Sequence, residues 1–154
     1  FISSSTINNH FDSLRQKISF IFQDPVFLNR SVEDNLMHVL KCKSVHKANW
    51  SRIISDSVQR FSCEHLLKNN INSLSGGELQ LLSLMRGTMI EPDILFYDEP
   101  TNNLDDENIK LIKTFIENFY NNGCSIIMVT HNNYLFDDMK HKKLTLKNGC
   151  SIDV

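Results

Sequence analysis

Three short apolar runs alternate along the chain with longer stretches in which apolar residues recur every three or four positions. The runs are ISFIF at 18–22, DILFYD at 93–98 and SIIMV at 125–129. Runs that are apolar throughout are typical of strands in a parallel sheet, where both faces are covered. The pattern therefore predicts three buried parallel strands.

Helical spacing fills three of the intervening stretches, at 45–67, 78–89 and 106–120, and Gly123 follows the last of them as a stop signal. The tail KLTLKNGCSIDV alternates polar with apolar residues on either side of an Asn-Gly pair, which predicts a hairpin. Strands that alternate with helices indicate an α/β fold with a mainly parallel sheet.

Polar residues follow each predicted strand directly. The three tripeptides are Gln23-Asp24-Pro25, Asp98-Glu99-Pro100 and Thr130-His131-Asn132. Open parallel sheets bind their ligands beyond the carboxyl ends of the strands. The sequence therefore predicts a site at that edge of the sheet.

The stretch ILFYDEP places two carboxylates, Asp98 and Glu99, at the mouth of the predicted sheet. Alternation along a strand points them to opposite faces, so that one can hold a hydrated Mg²⁺ while the other meets a water molecule. Phosphoryl transfer needs both parts. The alternative is a strand that leaves the core with two solvated acids.

The stretch LSGGELQ, at 74–80, leads into the helical pattern at 78–89. Gly76 and Gly77 let the backbone approach a ligand closely, and the amides at a helix start attract an anion. The alternative is a capping box between Ser75 and Glu78. That box explains the serine and the glutamate, but it does not need two consecutive glycines.

These motifs together resemble an ABC-type ATPase cassette over about residues 10–150. LSGGELQ, ILFYDEPTNNLD and IIMVTHN are similar to the signature, Walker B, D-loop and H-loop motifs, and LRQKISFIFQDPVFLNRSVEDNL is similar to the Q-loop region. The resemblance implies a truncated P-loop NTPase of ABC type, with a partial, mainly parallel sheet and flanking helices. It further implies an α-helical signature subdomain at about 30–90, with 1–29 and 91–154 as parts of the catalytic core.

The resemblance assigns ATP and Mg²⁺ to the predicted edge of the sheet. It implies that Asp98 holds the metal and that Glu99 is the general base for the attacking water. His131 would contact the γ-phosphate, and Gln23 would touch the metal and the water.

The signature motif is implied to be one half of a composite site, closed across a head-to-tail dimer with a second cassette. Ser75, Gly76 and Gly77, with Glu78 beside them, would grip a nucleotide held mainly by the partner cassette, and Asp105 would lie near the two-fold interface.

The lysine of such a site belongs to a P-loop, G-x-x-x-x-G-K-[ST], which these residues do not contain. We expect truncation upstream, with true loss in a degenerate cassette as the alternative. The 154 residues alone are then expected to expose apolar sheet surface, to aggregate and to be inactive.

The Q-loop stretch favours an exporter, in which a transmembrane domain contacts the cassette through that region at the inner face of the cell membrane. PTNNLD and THNNYLF favour an ABC-F translation factor or an importer-type subunit. A catalytically silent regulatory cassette is a third hypothesis, against which Glu99 argues.

Composition excludes some other classes. A net charge of −2 provides no basic surface for nucleic acid, and the longest apolar runs are too short to cross a bilayer. Cys42 with His46, or Cys63 with His65, could be imagined as a zinc site, but their spacing fits no common finger pattern.

Overall fold

The computed structural model describes residues 14, 17–101, 104–132, 134, 136–148 and 150–152. The residues of the predicted motifs that lie outside the described residues are Arg15, Gln16, Asn102, Asn103, Asn133, Leu135, Gly149, Asp153 and Val154. The strands and helices are, in chain order, β1 (Ile18–Ile21), α1 (Val32–Cys42), α2 (Trp50–Arg60), α3 (Gly76–Thr88), β2 (Ile94–Asp98), α4 (Asp106–Asn121), β3 (Ser125–Val129), β4 (Thr145–Lys147) and β5 (Cys150–Ile152). The predicted α/β class is confirmed.

The first three strands form one parallel sheet in the order β1-β2-β3. Tyr97 of β2 pairs with Ile21 of β1 on one side and with Met128 of β3 on the other. Because the strands are parallel and in register, their carboxyl ends meet at one edge, with β2 in the middle. The tail forms the predicted hairpin, in which Lys147 pairs with Cys150.

The two faces of this sheet differ in their exposure. On one face Leu95 and Tyr97 are each 1% exposed, and α3 contacts β1 while α4 contacts β3. On the other face Phe20 stacks on Phe96 with ring centroids 4.5 Å apart, yet Phe20 remains 57% and Ile127 50% exposed. The prediction of strands buried on both faces is therefore wrong for the second face, where the expected exposed apolar surface is found.

The helix predicted over 45–67 is shorter than its apolar pattern. Only Trp50–Arg60 is α-helical, and short 3₁₀ turns at Lys47–Asn49 and Glu64–Leu66 flank it. Ser62 has φ of 53°, a left-handed conformation in which a right-handed helix cannot continue. The apolar spacing persists past this point because the next turn packs on the same core.

Helix α3 packs tightly against the sheet through Gly87. A Cβ at this glycine would lie 2.6 Å from Cγ1 of Ile21, so only glycine permits the contact between α3 and β1. One apolar core runs from the sheet into the helices and includes Ile21, Leu36 and Leu82. The expected boundary between a helical subdomain and the catalytic core stays a prediction.

Candidate active site

Glu99 lies directly beyond β2 with φ of 46°, which is rare for a residue with a side chain. Its N–H donates to the carbonyl of Val129 at 2.8 Å, so the backbone stays joined to β3 after the strand has ended. Strand alternation stops at Asp98, and the positive φ decides where the Glu99 side chain points. Non-glycine residues in this conformation are concentrated at functional sites.

The Glu99 carboxylate is held by donors that follow β3. The His131 N–H donates to Oε1 at 2.9 Å, and His131 Nδ1 lies 2.8 Å from the same oxygen. The Thr130 hydroxyl donates to Oε2 at 3.2 Å. The Glu99 side chain is 14% exposed and that of His131 is 76% exposed, so a sheltered carboxylate lies beside an accessible imidazole. This arrangement can orient a water molecule and accept its proton.

Asp98 and Gln23 lie at the same edge of the sheet, and both are exposed. Asp98 is the last residue of β2, and Gln23 stands two residues beyond the end of β1. The structure therefore brings together the ends of all three strands, with Gln23, Asp98, Glu99 and His131 along one edge.

The part of the chain that the structure describes contains no group of three or more histidine, cysteine, aspartate or glutamate side chains that could hold a metal ion. The zinc alternative is therefore wrong for these residues. Cys63 is buried, its thiol donates to the carbonyl of Phe61 at 3.1 Å, and burial raises its pKa.

The residues of LSGGELQ form the start of α3. The Glu78 carboxylate accepts from the Ser75 N–H at 2.7 Å and from the Ser75 hydroxyl at 2.8 Å. The Glu78 N–H donates to the Ser75 hydroxyl at 3.3 Å, which completes a capping box. The bonds from the Ser75 N–H and then its hydroxyl hold the pKa of Glu78 below its usual range. The capping box is therefore present, and it is compatible with a phosphate site at the same helix start.

The amides of Gly76 and Gly77, within the described structure, have no hydrogen-bond partner. They are the first two of the amides that a helix start leaves without an intrahelical acceptor. The third, that of Glu78, is taken by Ser75. The two glycines thus provide the free donors that an anion at this helix start would use.

The two glycines differ in their surroundings. A Cβ at Gly77 would lie 2.8 Å from Nδ2 of Asn108 on α4, whereas a Cβ at Gly76 would have no described atom within 4 Å. Packing therefore explains the glycine at 77 but not the glycine at 76. Asp105 belongs to the same region, because its carboxylate caps α4 by accepting from the Asn108 N–H at 2.8 Å.

The predicted residues thus form two groups, one at the edge of the sheet and one at the paired starts of α3 and α4. Thr130 was placed at this edge by the sequence but was given no role, and it bonds to Glu99. Asn108, which fills the space beside Gly77, was not predicted. The position of Thr130 directly before His131 is the signal that could have identified it.

A cleft of about 960 Å³ lies at the other end of the sheet, where Asp93 precedes β2 and Cys124 precedes β3. Phe115 and Phe119 of α4 line it together with Arg60. Because ligands of parallel sheets bind at the carboxyl ends of the strands, this cleft is not the candidate site.

Curated relatives resemble this chain over most of its length. The cell division ATP-binding protein FtsE of Streptococcus pneumoniae is 29% identical over 137 residues, covering 88% of this chain and 60% of the relative. FtsE of Escherichia coli K12 is 32% identical over 143 residues, covering 92% of this chain and 64% of the relative. The chain therefore spans about three fifths of the length of these relatives.

A solved structure and a family model agree with these relatives. CbiO1 of Clostridium perfringens, described as part of the ABC transporter complex cbiONQ, superposes with a TM-score of 0.69 at 26% identity. That match covers 86% of this chain and 52% of CbiO1. The family model described as ABC transporter matches residues 2–102. The ATPase domains of ABC transporters bind nucleotides and hydrolyse ATP. This chain belongs to that ABC transporter ATPase family.

Proposed function

We propose that these residues are part of a cassette that hydrolyses ATP clasped between two cassettes in a head-to-tail dimer and thereby powers membrane transport. The observation that supports this most strongly is the Glu99 carboxylate, fixed by Thr130 and His131 at the edge of the sheet. A base that is sheltered, oriented and within reach of that edge is what ATP hydrolysis by an activated water needs.

In this proposal Glu99 accepts a proton from the attacking water while the water oxygen bonds to the γ-phosphorus and the bond to the ADP oxygen breaks. His131 holds Oε1 of Glu99 through its N–H and its Nδ1, which keeps the carboxylate directed at the water. The exposed remainder of the imidazole is free to contact the γ-phosphate.

Asp98 and Gln23 would hold Mg²⁺, which supplies charge neutralisation to the phosphates when it is bound. An exposed carboxylate and an amide oxygen are too few for an all-protein metal cage. They suit Mg²⁺, which keeps several waters and takes its other ligands from substrate phosphates. The donor set at this edge therefore fits the metal that the family uses with ATP.

The start of α3 would serve the nucleotide of the partner cassette as a lid. Gly76 and Gly77 have free amides, and the positive end of the helix favours a phosphate there. Ser75 would add its hydroxyl only after that group turns away from Glu78. Closing the lid therefore exchanges an internal hydrogen bond for one to the nucleotide.

The loop that follows β1 is the proposed contact for a transmembrane partner. Arg86 donates to the carbonyl of Val26 at 2.7 Å, and its guanidinium lies 5.0 Å from the Phe27 ring centroid. Val26 itself is 86% exposed, so the loop that Arg86 holds in place presents an apolar side chain to solvent. The described helices include none long and apolar enough to span a bilayer, and the partner would provide the membrane passage.

The exporter remains our preferred subtype because of the long Q-loop match, and the relatives' names do not specify a direction of transport. An ABC-F translation factor would instead carry a second cassette on the same chain. Reading the gene on both sides of these residues separates the two hypotheses, since membrane-spanning segments favour the exporter and a second LSGG-type cassette favours the translation factor.

The test is Glu99→Gln in the intact natural protein, with Glu117→Gln as the matched control. Glu117 is exposed on α4, so the same chemical change there leaves the site intact. We expect Glu99→Gln to slow ATP turnover by about a hundredfold or more, the scale of a lost general base, while ATP binding and ATP-driven dimerisation persist. Unchanged turnover in Glu99→Gln would contradict the proposed role.

A further inference from the structure

Gln80 and Tyr97 form a hydrogen bond in the core between α3 and the sheet. The Gln80 side-chain Nε2 donates to the Tyr97 hydroxyl at 3.0 Å. Gln80 is 8% exposed and Tyr97 is 1% exposed, so both polar groups are withdrawn from water. Burial raises the pKa of the Tyr97 phenol well above its ordinary value.

The two residues belong to the two halves of the proposed site. Tyr97 is the residue of β2 directly before Asp98 and Glu99, and it is paired in the ladder on both sides. Gln80 lies about one turn inside α3 from Gly76, where the proposed lid begins. Energetic coupling between sites in proteins is carried by packed side chains and hydrogen bonds, and this bond is such a link between α3 and β2.

Stability alone does not require this bond. A buried neutral hydrogen bond contributes a modest net free energy, and an apolar pair of the same shape would fill the same space without placing polar groups in the core. What the polar pair adds is a fixed geometry between the helix and the strand. The bond therefore fixes the position of α3, which begins with the lid, relative to β2, which is followed by the base.

We propose that Gln80 and Tyr97 are positioning residues that couple the lid at the start of α3 to the catalytic base at the end of β2. This inference rests on the proposed function, in which the lid of each cassette closes on the nucleotide held by the other. The lid and the base of one chain then serve different nucleotides. The bond therefore makes the state of one composite site act on the base of the other.

The test uses the intact natural protein and compares Tyr97→Phe, Gln80→Leu and the double variant. Denaturant midpoints report on stability, and the rate of ATP hydrolysis against ATP concentration gives kcat and the Hill coefficient. Each single variant leaves one buried polar group without its partner, so its midpoint should fall. The double variant removes both groups, and its midpoint should return towards the wild-type value.

In the double variant, the Hill coefficient and kcat should not recover, although the denaturant midpoint does. We expect a wild-type Hill coefficient above 1, and in all three variants a coefficient near 1 with a reduced kcat, because the bond no longer links the two composite sites. Thr88→Val is the matched control, because it removes a buried bond from the Thr88 hydroxyl to the carbonyl of Leu84 within α3. That control should lower the midpoint and leave the Hill coefficient unchanged.

Two results would overturn the coupling. One is a double variant that recovers both midpoint and kinetics, which would make the bond a packing feature only. The other is a wild-type Hill coefficient of 1. A wild-type protein without any ATP turnover would instead refute the proposed function, so the two failures are distinguishable.

Discussion

Replacing Gly76 with alanine should separate what the fold requires at this position from what a bound phosphate requires. The added Cβ would meet no described atom within 4 Å, and φ at this residue is not left-handed. Alanine is more favourable than glycine inside a helix by up to about 1 kcal/mol, and less so in the first turn. The free energy of unfolding should therefore stay unchanged or rise slightly.

Gly77→Ala is the matched comparison, one residue further along the same helix. Its Cβ would lie 2.8 Å from Nδ2 of Asn108, well inside ordinary contact, so the Asn108 side chain must move. Forcing a side chain off its rotamer costs roughly 0.5–1.5 kcal/mol. The two variants should thus differ by about 1 kcal/mol in unfolding free energy, and Asn108→Ala should remove the difference.

If Gly76 is part of the lid, Gly76→Ala should impair ATP-driven dimerisation more than Gly77→Ala does, which is the reverse of their order in stability. A Cβ at Gly76 keeps the phosphate from the free amide, and the loss of one hydrogen bond to a charged group is worth about 1.5–3 kcal/mol. That corresponds to an ATP-driven dimerisation weakened by about ten- to more than a hundredfold. Light scattering at increasing ATP concentration, in a Glu99→Gln background that retains nucleotide, measures the effect.

Gly76→Ala therefore should fold as well as wild type and dimerise poorly. If it dimerises normally, no ligand approaches the backbone at Gly76, and the lid hypothesis is refuted. If instead its free energy of unfolding falls by more than about 1 kcal/mol, the fold itself requires the glycine, although no described atom lies within 4 Å of the added Cβ.

Thr130→Val should lower kcat by about five- to thirtyfold without changing the affinity for ATP, because it removes a hydrogen bond to Glu99 worth about 1–2 kcal/mol. Thr130→Ser keeps the hydroxyl and should leave kcat unchanged. Equal kinetics in the wild type and both variants would contradict this. Arg86→Met should speed amide hydrogen exchange in residues 23–30 by about tenfold, and unchanged exchange would show that Arg86 does not fix the loop. Burial raises the pKa values of Cys63, Cys124 and Tyr97 in the folded state. Below about pH 8 these groups are protonated in both states, so the free energy of unfolding does not depend on them. It should fall as the pH rises through their unfolded-state pKa values, about 8.5 for cysteine and 10 for tyrosine. Denaturant midpoints between pH 7 and 11 test this, and a midpoint that rises with pH would contradict it.

The elements of the fold were predictable where burial sets the pattern. The three strands and α4 occur within a residue or two of their apolar runs, because short runs that are apolar throughout predict strands and apolar residues at three- and four-residue steps predict a helix. The end of α2 was not predictable in this way. Ser62 ends the helix with a positive φ, although neither glycine nor proline marks the position.

The direction of Glu99 was also beyond the sequence argument. Alternation along β2 governs side chains only as far as Asp98, and the positive φ of Glu99 depends on bonds to β3 and the residues after it. The glycine pair shows a second limit of local reasoning. The motif suggested one role for both residues, whereas packing against Asn108 accounts for Gly77 and leaves only Gly76 to be explained by a ligand.

The distribution of donors around Glu99 has a consequence for where the attacking water binds. Each carboxylate oxygen has about two acceptor sites. Among the residues that the structure describes, Oε1 receives the His131 N–H and faces Nδ1, while Oε2 receives only the Thr130 hydroxyl, at the longer distance of 3.2 Å. In the proposed mechanism the water must therefore bind Oε2, beside Thr130. That hydroxyl fixes which way the open acceptor site faces, so its removal should impair the orientation of the water more than the binding of ATP.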